Sequence, residues 1–427
     1  MSKVGLGYIS TNTFERPDNS FLLPLDESVC GMLFDLSGFK KPFDDYYAIR
    51  QYFGDGQTQL IHNMEEASDM GLWNNQFMNG LAYYHIKSFY DYVGKDAPLY
   101  VCFADCSGYF EKNEDVLEKM QMAAGGKIFQ IGIWTAQKLW INTDSGLIFT
   151  PLCTNIEIAT EILTGKVGAQ TSNYSPVSTL ICPNTSFSGS RTLLEVPNGL
   201  TLNLPKISVC IAQNGSELNH IMQNKNPDKA PVGCLGFLMG AICLAYAEES
   251  IGYVAKFNLN KLDTFSNAEV WFGESSISLN QLQYGKIYAA DRGYILPTTY
   301  AGKEAEVFFT GDPTFSKGDY YCLANNRVMH KVRRAILSAL IPYLHGNYEL
   351  DVINGTLSVT TQSVLTSAVL TMLDNVMFNK EHQNQLSSRQ VSFVSSFDIL
   401  EKDEITMATA IQPVNYSNVI NEKDTIK

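Results

Sequence analysis

Residues 127–134 have the sequence KIFQIGIW and decide the fold, because they are apolar almost throughout. A short apolar run of this kind is typical of a parallel strand buried on both faces. The stretches APLYVCFAD (97–105) and KISVCIAQNG (206–215) have the same character. Between the first two strands, NEDVLEKMQMAAGG contains helix formers and ends on Gly125 and Gly126, a helix stop. Strands that alternate with helices predict an α/β (α+β) fold.

Length and charge limit the possible functions. A chain of 427 residues with 45% hydrophobic and 18% charged residues is an ordinary globular chain of two or three domains, or one large domain with appendages. Its 44 acidic and 31 basic residues give a net charge of −13. This charge disfavours general binding to nucleic acid or to anionic membranes, so neither is expected as a partner.

The most hydrophobic segment is PVGCLGFLMGAICLAYA, residues 231–247. It is shorter than the roughly 20 residues that span a bilayer, and its glycines favour close packing, so it predicts a buried helix rather than membrane insertion. The N-terminal sequence has no apolar run typical of a secretory signal. The nine cysteines form no disulfide framework, and Cys102 and Cys106 lack partners for a metal site. Reduced thiols in a cytoplasmic setting are expected.

Motifs that carry catalytic chemistry are missing from the sequence. The six histidines form no HxxxH or HExxH pair, and neither a GxSxG elbow nor a phosphate-binding glycine loop occurs. Adjacent carboxylates such as Glu65 and Glu66 tend to point apart. We therefore expect no catalytic residue, no metal and no cofactor. An α/β enzyme stays open as an alternative, because catalytic residues converge in space rather than in sequence.

A basic segment, NNRVMHKVRR (325–334), stands out in this acidic chain. With Asp319 as the N-cap, residues 320–344 predict one helix that Pro342 bends or ends. At 100° per residue one stripe is apolar and the opposite side is basic. The apolar stripe, which is predicted to dock on the chain's own domain, consists of Tyr321, Val328, Val332, Ala335, Ile336 and Ala339. The basic stripe, which is predicted to face outward, consists of Arg327, His330, Lys331 and Arg334.

Other segments complete the organisation of the chain. Residues 171–200, rich in Ser, Thr, Asn, Gly and Pro, are interpreted as a long surface connection. Val359 to Phe378 predicts another helix after a turn at Asn354-Gly355. Residues 4–9 (VGLGYI) and 404–420 (EITMATAIQPVNYSNVI) look strand-capable, and the latter alternates until Pro413. A bare strand edge invites pairing with another chain, and pairing within the monomer is the alternative.

The last 135 residues carry an ordered set of motifs. They are DRGYILPTTYAG, FFTGDPTF, NNRVMHKVRRAILSALIPYL, NGTLS and MATAIQPVNYSNVINEKDTI. Together with ISVCIAQ and the glycine-rich helix upstream, this order resembles contractile tail sheath proteins of Mu-like phages and bacterial contractile injection systems. The resemblance covers roughly residues 205–427 and is sharpest at RGY, FTGDPT and RVM.K.

The resemblance implies a structural subunit with defined partners. Such subunits stack as hexameric rings into a helical sheath around an inner tube, and contract to drive that tube through a target envelope. The expected partners are other copies of the chain, the tube protein, and baseplate and terminator or cap proteins. The expected location is the bacterial cytoplasm during assembly, then a virion tail or a contractile injection particle. A non-contracting capsid or baseplate protein is a further alternative.

The resemblance also implies domains and contact residues. The division is an N-terminal arm (1–20), an α/β domain (21–295), a sheath core domain (296–403) and a C-terminal arm (404–427). The expected tube contacts are Arg327, His330, Lys331, Arg333 and Arg334. The expected strands that pair with neighbouring subunits contain Val4, Leu6, Tyr8, Ile405, Met407, Thr409, Ile411, Val414 and Tyr416.

Overall fold

The computed structural model of the protein describes most of the chain between residues 26 and 414. The described residues are 26–37, 52–73, 77–94, 96–107, 115–163, 176–225, 230–261, 265, 267–343, 346–351, 355–378, 384–393 and 407–414. The expected N-terminal strand at residues 4–9 lies outside them, as do Ile405 and Tyr416 of the expected C-terminal strand.

A seven-stranded mixed sheet forms the centre of the molecule, in the order β12-β8-β7-β4-β1-β3-β2. All neighbouring pairs are parallel except β2 and β3, so an antiparallel strand lies at one edge. Its strands are β1 (Cys30–Asp35), β2 (Thr58–Ile61), β3 (Leu99–Ala104), β4 (Gln130–Lys138), β7 (Ser178–Asn184), β8 (Ile207–Cys210) and β12 (Tyr294–Ile295).

Four smaller sheets lie around the central one. β9 (Ala212–Gln213), β10 (Glu269–Phe272) and β11 (Ser275–Ser278) form a three-stranded sheet. The other three are two-stranded and antiparallel. They pair β5 (Trp140–Thr143) with β6 (Gly146–Phe149), β13 (Pro297–Thr298) with β14 (Phe308–Phe309), and β15 (Leu386–Phe393) with β16 (Met407–Pro413).

The α-helices of the described residues cover both faces of the sheet. They are α1 (Met64–Asp69), α2 (Phe77–Val93), α3 (Asp115–Ala123), α4 (Leu152–Ile162), α5 (Glu217–Lys225), α6 (Leu235–Leu244), α7 (Gln283–Ala290), α8 (Leu323–Leu340) and α9 (Val359–Met377). Short 3-10 turns occur at Gly54–Gly56, Leu193–Glu195, Gly199–Thr201, Leu279–Gln281 and Ile341–Tyr343.

Three apolar clusters hold these layers together. On one face of the sheet, Phe34 and Trp134 pack with α2 and α6. On the other face, Leu33 and Ile133 pack with α3 and α4. The third cluster joins α8, α9 and the β15–β16 hairpin in the C-terminal region. Helices on both faces of a mostly parallel sheet confirm the α/β fold class.

The apolar segment 231–247 forms a core helix, as predicted. Nine of the ten residues of α6 are buried. A Cβ at Gly236 would lie 2.1 Å from the carbonyl oxygen of His85, so glycine is needed where α6 crosses α2. Across the described residues, none of the helices combines the length and the apolar character that crossing a membrane requires.

One interpretation of the sequence is wrong. Within residues 171–200, the segment Ser178–Asn184 is β7, which lies between β4 and β8 and is fully buried. In sequence this strand resembles a surface connection, because five of its seven residues are not aliphatic: Ser178, Thr179, Cys182, Pro183 and Asn184. The sheet accommodates polar residues here because some bond within the core, as Thr179 does with Thr160 at 2.8 Å.

Candidate functional site

Helix α8 contains the basic segment and is bounded differently from the prediction. It begins at Leu323 rather than residue 320, and its N-terminal amides are satisfied by Asp312 rather than Asp319. The Asp312 carboxylate accepts a bond of 2.8 Å from the amide of Ala324, and its backbone carbonyl accepts one from Leu323. Pro342 lies in the 3-10 turn that follows the helix, in agreement with its predicted role.

The apolar stripe of α8 docks on its own domain, as predicted. Val328, Val332 and Ala335 are fully buried and share a cluster with residues of α9 such as Val369 and Leu373. Burial of each valine side chain contributes about 1.5–3 kcal/mol. The contact between α8 and α9 is thus the apolar centre of the C-terminal region.

The basic stripe does not face outward, and this prediction is wrong. Arg327, His330 and Arg334 are each 1% exposed and Lys331 is 8% exposed. A guanidinium is stable inside a protein when most of its donors find acceptors. The acceptors here come from chain segments far away in sequence, which helical periodicity does not reveal.

Arg327 binds the C-terminal end of α6. Its guanidinium donates to the carbonyl oxygens of Ala245 at 2.8 Å, Tyr246 at 3.0 Å and Ile242 at 3.2 Å. The last carbonyls of a helix have no partner within the helix and carry the negative end of its dipole. Arg327 therefore acts as a side-chain cap for α6, the most deeply buried helix.

Arg334 binds the N-terminal edge of the central sheet. It donates to the carbonyl oxygens of Gly126 at 2.7 Å, Ile128 at 2.8 Å and Pro176 at 3.1 Å. These acceptors precede β4 and β7, and the guanidinium lies 4.0 Å from the centre of the Phe129 ring. One side chain thus connects two strands of the sheet to α8.

Lys331 and His330 complete the buried face. The Lys331 ammonium lies 2.5 Å from the Glu27 carboxylate, and these side chains are 10% and 14% exposed. Burial lowers the pKa of His330 well below its usual value, and the neighbouring cations of Arg333, Lys206, Arg334 and Arg327 lower it further. His330 is therefore neutral at pH 7.

Arg333 is the exception among the five residues expected to contact a tube. Its side chain is half-buried, and it donates to the Tyr320 hydroxyl at 3.2 Å. The other four are enclosed within the subunit, so a contact through their side chains would require them to leave these partners.

The C-terminal strand is present and pairs first within its own chain. β16 contains Met407, Thr409 and Ile411 and runs antiparallel to β15, with Thr409 opposite Val391. Val414 follows the strand and donates its amide to Gln385 at 3.2 Å. In the described part of the chain each strand of this hairpin pairs along a single edge. The hairpin thus has the free edges that another strand could extend.

Asp35 is a buried carboxylate that the sequence did not single out. It ends β1, next to the point where the strand order reverses between β1 and β4, the usual ligand site in open α/β sheets. Burial raises its pKa. Its oxygens accept hydrogen bonds from the hydroxyl of Thr135 at 2.5 Å and from the side-chain amide of Gln137 at 2.6 Å. They also accept from the backbone amide and the hydroxyl of Ser37. The hydrogen-bonding capacity of the Asp35 carboxylate is therefore taken up by donors of the same chain.

Features of catalytic or metal sites are scarce among the described residues. They contain no group of three or more His, Cys, Asp or Glu side chains placed to hold a metal ion. All nine cysteines are buried and reduced, including Cys102 and Cys106. Burial raises the pKa of Cys102 to about 11, which keeps it an unreactive thiol.

Comparison with known proteins defines the fold further. No protein-family model matches the sequence, and neither does any curated protein. Solved structures of contractile injection machines do match it over nearly its whole length.

Two of these structures are typical. A chain in the cryo-EM structure of the anti-feeding prophage (AFP) baseplate superposes with a TM-score of 0.53 at 12% identity, covering 100% of this chain and 99% of that one. A chain of the PVC sheath complex, an extracellular contractile injection system in the contracted state, gives a TM-score of 0.55 at 10% identity, covering 97% and 96%. The fold is therefore one found in contractile injection systems. Chains from a sheath structure and a baseplate structure share this fold, which confirms the resemblance to contractile sheath proteins at the level of the fold.

Proposed function

We propose that this chain is the structural subunit of a contractile sheath, which stacks as hexameric rings around an inner tube and contracts to drive the tube through a target envelope. The observation that carries the proposal is the fold shared with a chain of the PVC sheath complex over 96% of that chain. Asp35, at the point where the strand order reverses, is fully hydrogen-bonded within the chain, and the cysteine thiols are buried. Both observations favour a structural role over an α/β enzyme. A non-contracting baseplate subunit is the second candidate, because a chain in the AFP baseplate structure matches equally well.

The organisation proposed for the chain keeps the division given by the resemblance: arms at 1–20 and 404–427, an α/β domain at 21–295, and a core domain at 296–403. The partners would be other copies of the chain, a tube protein, and baseplate and terminator or cap proteins. The particle would assemble in the bacterial cytoplasm and act as a virion tail or a contractile injection particle.

Strand exchange is the proposed link between subunits. The β15–β16 hairpin is supported as the acceptor because, among the described residues, it is a two-stranded sheet in which each strand pairs along one edge. Each backbone hydrogen bond contributes about 0.5–1.5 kcal/mol net, so about six give several kcal/mol. Such a ladder could hinge while the subunit bodies rotate.

The proposed contact with the tube rests on Arg333, whose side chain is half-buried. An exposed ion pair contributes only about 0–1 kcal/mol, which is weak enough to release during contraction. Arg333→Glu should reduce co-sedimentation with the tube protein while empty sheaths still form. Unchanged co-sedimentation would exclude this contact.

Electron microscopy of the purified full-length chain tests the function. A sheath subunit should form cross-striated cylinders, a baseplate subunit flat rings, and an enzyme compact particles. Deletion of residues 415–427 removes the C-terminal tail but leaves β16 intact, so it tests the role of the tail without changing the hairpin. If strand exchange uses the tail, this truncated chain stays folded and loses the cylinders. Cylinders of normal length from the truncated chain would contradict strand exchange through the tail.

A further inference from the structure

A surface groove lies between the end of α8 and the outward face of α9. It encloses about 890 Å³, and its lining includes Pro342, Tyr343, Val359, Val364, Ser367 and Thr371. None of its lining residues is charged. We propose that this α8–α9 groove is a contact surface for a second copy of the same chain; the inference rests on the proposed function and names a partner surface for it.

The exposed face of α9 is unusual for a helix in contact with water. Val359 is 83% exposed and Val364 is 50% exposed. One residue of the nineteen in α9 is charged, although charged residues make up 18% of the whole chain. That residue, Asp374, follows Ser363 and Ser367 on the same stripe, and its charge is balanced by an ion pair with Arg389 of β15. Exposed apolar side chains on a face of such low charge mark interaction surfaces rather than solvated faces.

The shape of the face favours close approach of another chain. Ser363, Ser367 and Thr371 are exposed and follow one another at helical spacing. Their small side chains let a neighbouring backbone come near, and their hydroxyls can both donate and accept hydrogen bonds. The valines at one end and Tyr343 on the α8 side supply apolar area.

The absence of charge from the lining of the groove favours another copy as the occupant. Two chains that each carry a net charge of −13 repel wherever their acidic surfaces meet. A contact between copies is therefore favoured at a face that contributes no charge. A strongly basic or acidic partner would be recognised by opposite charges, and the lining of the groove supplies neither sign. The groove also belongs to the region of the β15–β16 hairpin, since β15 packs beside α9 in one cluster.

The first test adds charge to the groove of the full-length chain. Ser363→Glu with Ser367→Glu places two carboxylates one turn apart on α9. We expect self-association, measured by sedimentation velocity, to weaken at least about tenfold, because like charges would face each other in the contact. The matched control is Thr154→Glu with Ile158→Glu, also exposed and one turn apart, on α4. The control should associate as the unmodified chain does, and equal association of both variants would overturn the proposal.

The second test does not depend on how the charged variant folds. Because all nine native cysteines are buried, Ser367→Cys introduces an accessible thiol into the groove. A short bismaleimide should join two copies through this residue and should not do so through Thr154→Cys on α4. Absence of joined copies, absence of self-association in the unmodified chain, or joining to the tube protein alone would each overturn the proposal. If copies are joined but no striated cylinders form, the proposed sheath function is rejected and the groove contact is supported. If cylinders form and the Ser363→Glu, Ser367→Glu variant associates like the unmodified chain, the groove contact is rejected and the sheath function is supported.

Discussion

Helices α8 and α9 are neighbours of similar length that place their charges in opposite ways. α8 carries four basic residues and buries three of them, whereas α9 carries one charged residue, Asp374, on an exposed face that is otherwise uncharged. The difference shows that charge is a poor guide to exposure when backbone acceptors are near. Carbonyl groups left over at the ends of α6, β4 and β7 surround the guanidinium groups of α8. α8 therefore joins the C-terminal region to the α/β body, whereas α9 packs on α8 with one face and exposes the other.

The largest effect is expected at Arg334. Arg334→Met leaves the buried carbonyl groups of Gly126 and Pro176 without this donor, and each such loss costs about 1–3 kcal/mol, whereas Ile128 keeps its bond from Gln121. We expect the free energy of unfolding to fall by about 3–5 kcal/mol, measured by urea denaturation. Arg333→Met is the control on the same helix, and its half-buried side chain should cost about 1 kcal/mol or less. Equal losses in the two variants would mean that the buried side of α8 is no more important than the exposed one.

A smaller effect is expected at the ion pair of Glu27 and Lys331. Glu27→Gln keeps the shape of the side chain but removes the carboxylate, which leaves a nearly buried ammonium without its counter-charge. We expect a loss of about 2 kcal/mol in the free energy of unfolding. The double variant with Lys331→Met should recover part of this loss, because no unpaired charge is then buried. If the two single losses simply add in the double variant, the pair does not act as a unit.

The fold was largely predictable from the sequence. Continuous apolar runs identified β3, β4 and β8, and the Gly/Ala-rich segment identified α6, because buried parallel strands and a fully buried helix need no polar face. Gly125 and Gly126 end α3 as expected, both with positive φ angles, 59° and 74°. β7 was missed because polar residues interrupt its apolar run; Thr179 and Asn184 are buried there because they bond to Thr160 and Ala136 on other elements.

The site was predictable only in part. Periodicity located α8 and its apolar stripe correctly, since that stripe follows from spacing alone. It could not reveal that Gly126, Pro176 and Ala245 bring their carbonyl groups to the basic stripe, because those contacts span from 82 to 208 residues. The low charge of α9 was visible in the sequence, which has one charged residue between Val359 and Met377, but the exposure of this helix was not.

His330 makes the stability of the buried face depend on pH. Its pKa is lowered in the folded chain, so the unfolded chain binds more protons once the pH falls below the ordinary histidine value of about 6.5. Stability should therefore be full above that pH and decrease as the pH falls, by at most about 1.4 kcal/mol per pH unit for this residue. Burial also lowers the pKa of His85, to about 3, so it adds to the same trend.

The contribution of His330 can be isolated by comparison. His330→Gln should flatten the loss of stability between about pH 6.5 and pH 5 relative to the unmodified chain, measured by denaturation at several pH values. His85 and the carboxylates, Asp35 included, are common to both chains and cancel in the difference. Identical pH profiles would mean that His330 is protonated in the folded chain, and the buried face of α8 would then hold another positive charge.

The smallest effect on the subunit is expected at Val359, the exposed side of the comparison. Val359→Ser changes a side chain that is 83% exposed at the first position of α9, so the free energy of unfolding should change by no more than about 0.5 kcal/mol. Denaturation at a protein concentration where the chain is monomeric measures this. Val369→Ser on the same helix is the matched control; it is fully buried between α8 and α9 and should cost several times more. A large loss at Val359 would mean that its side chain packs within the subunit, and α9 would then have no apolar residue to offer a neighbour at that end.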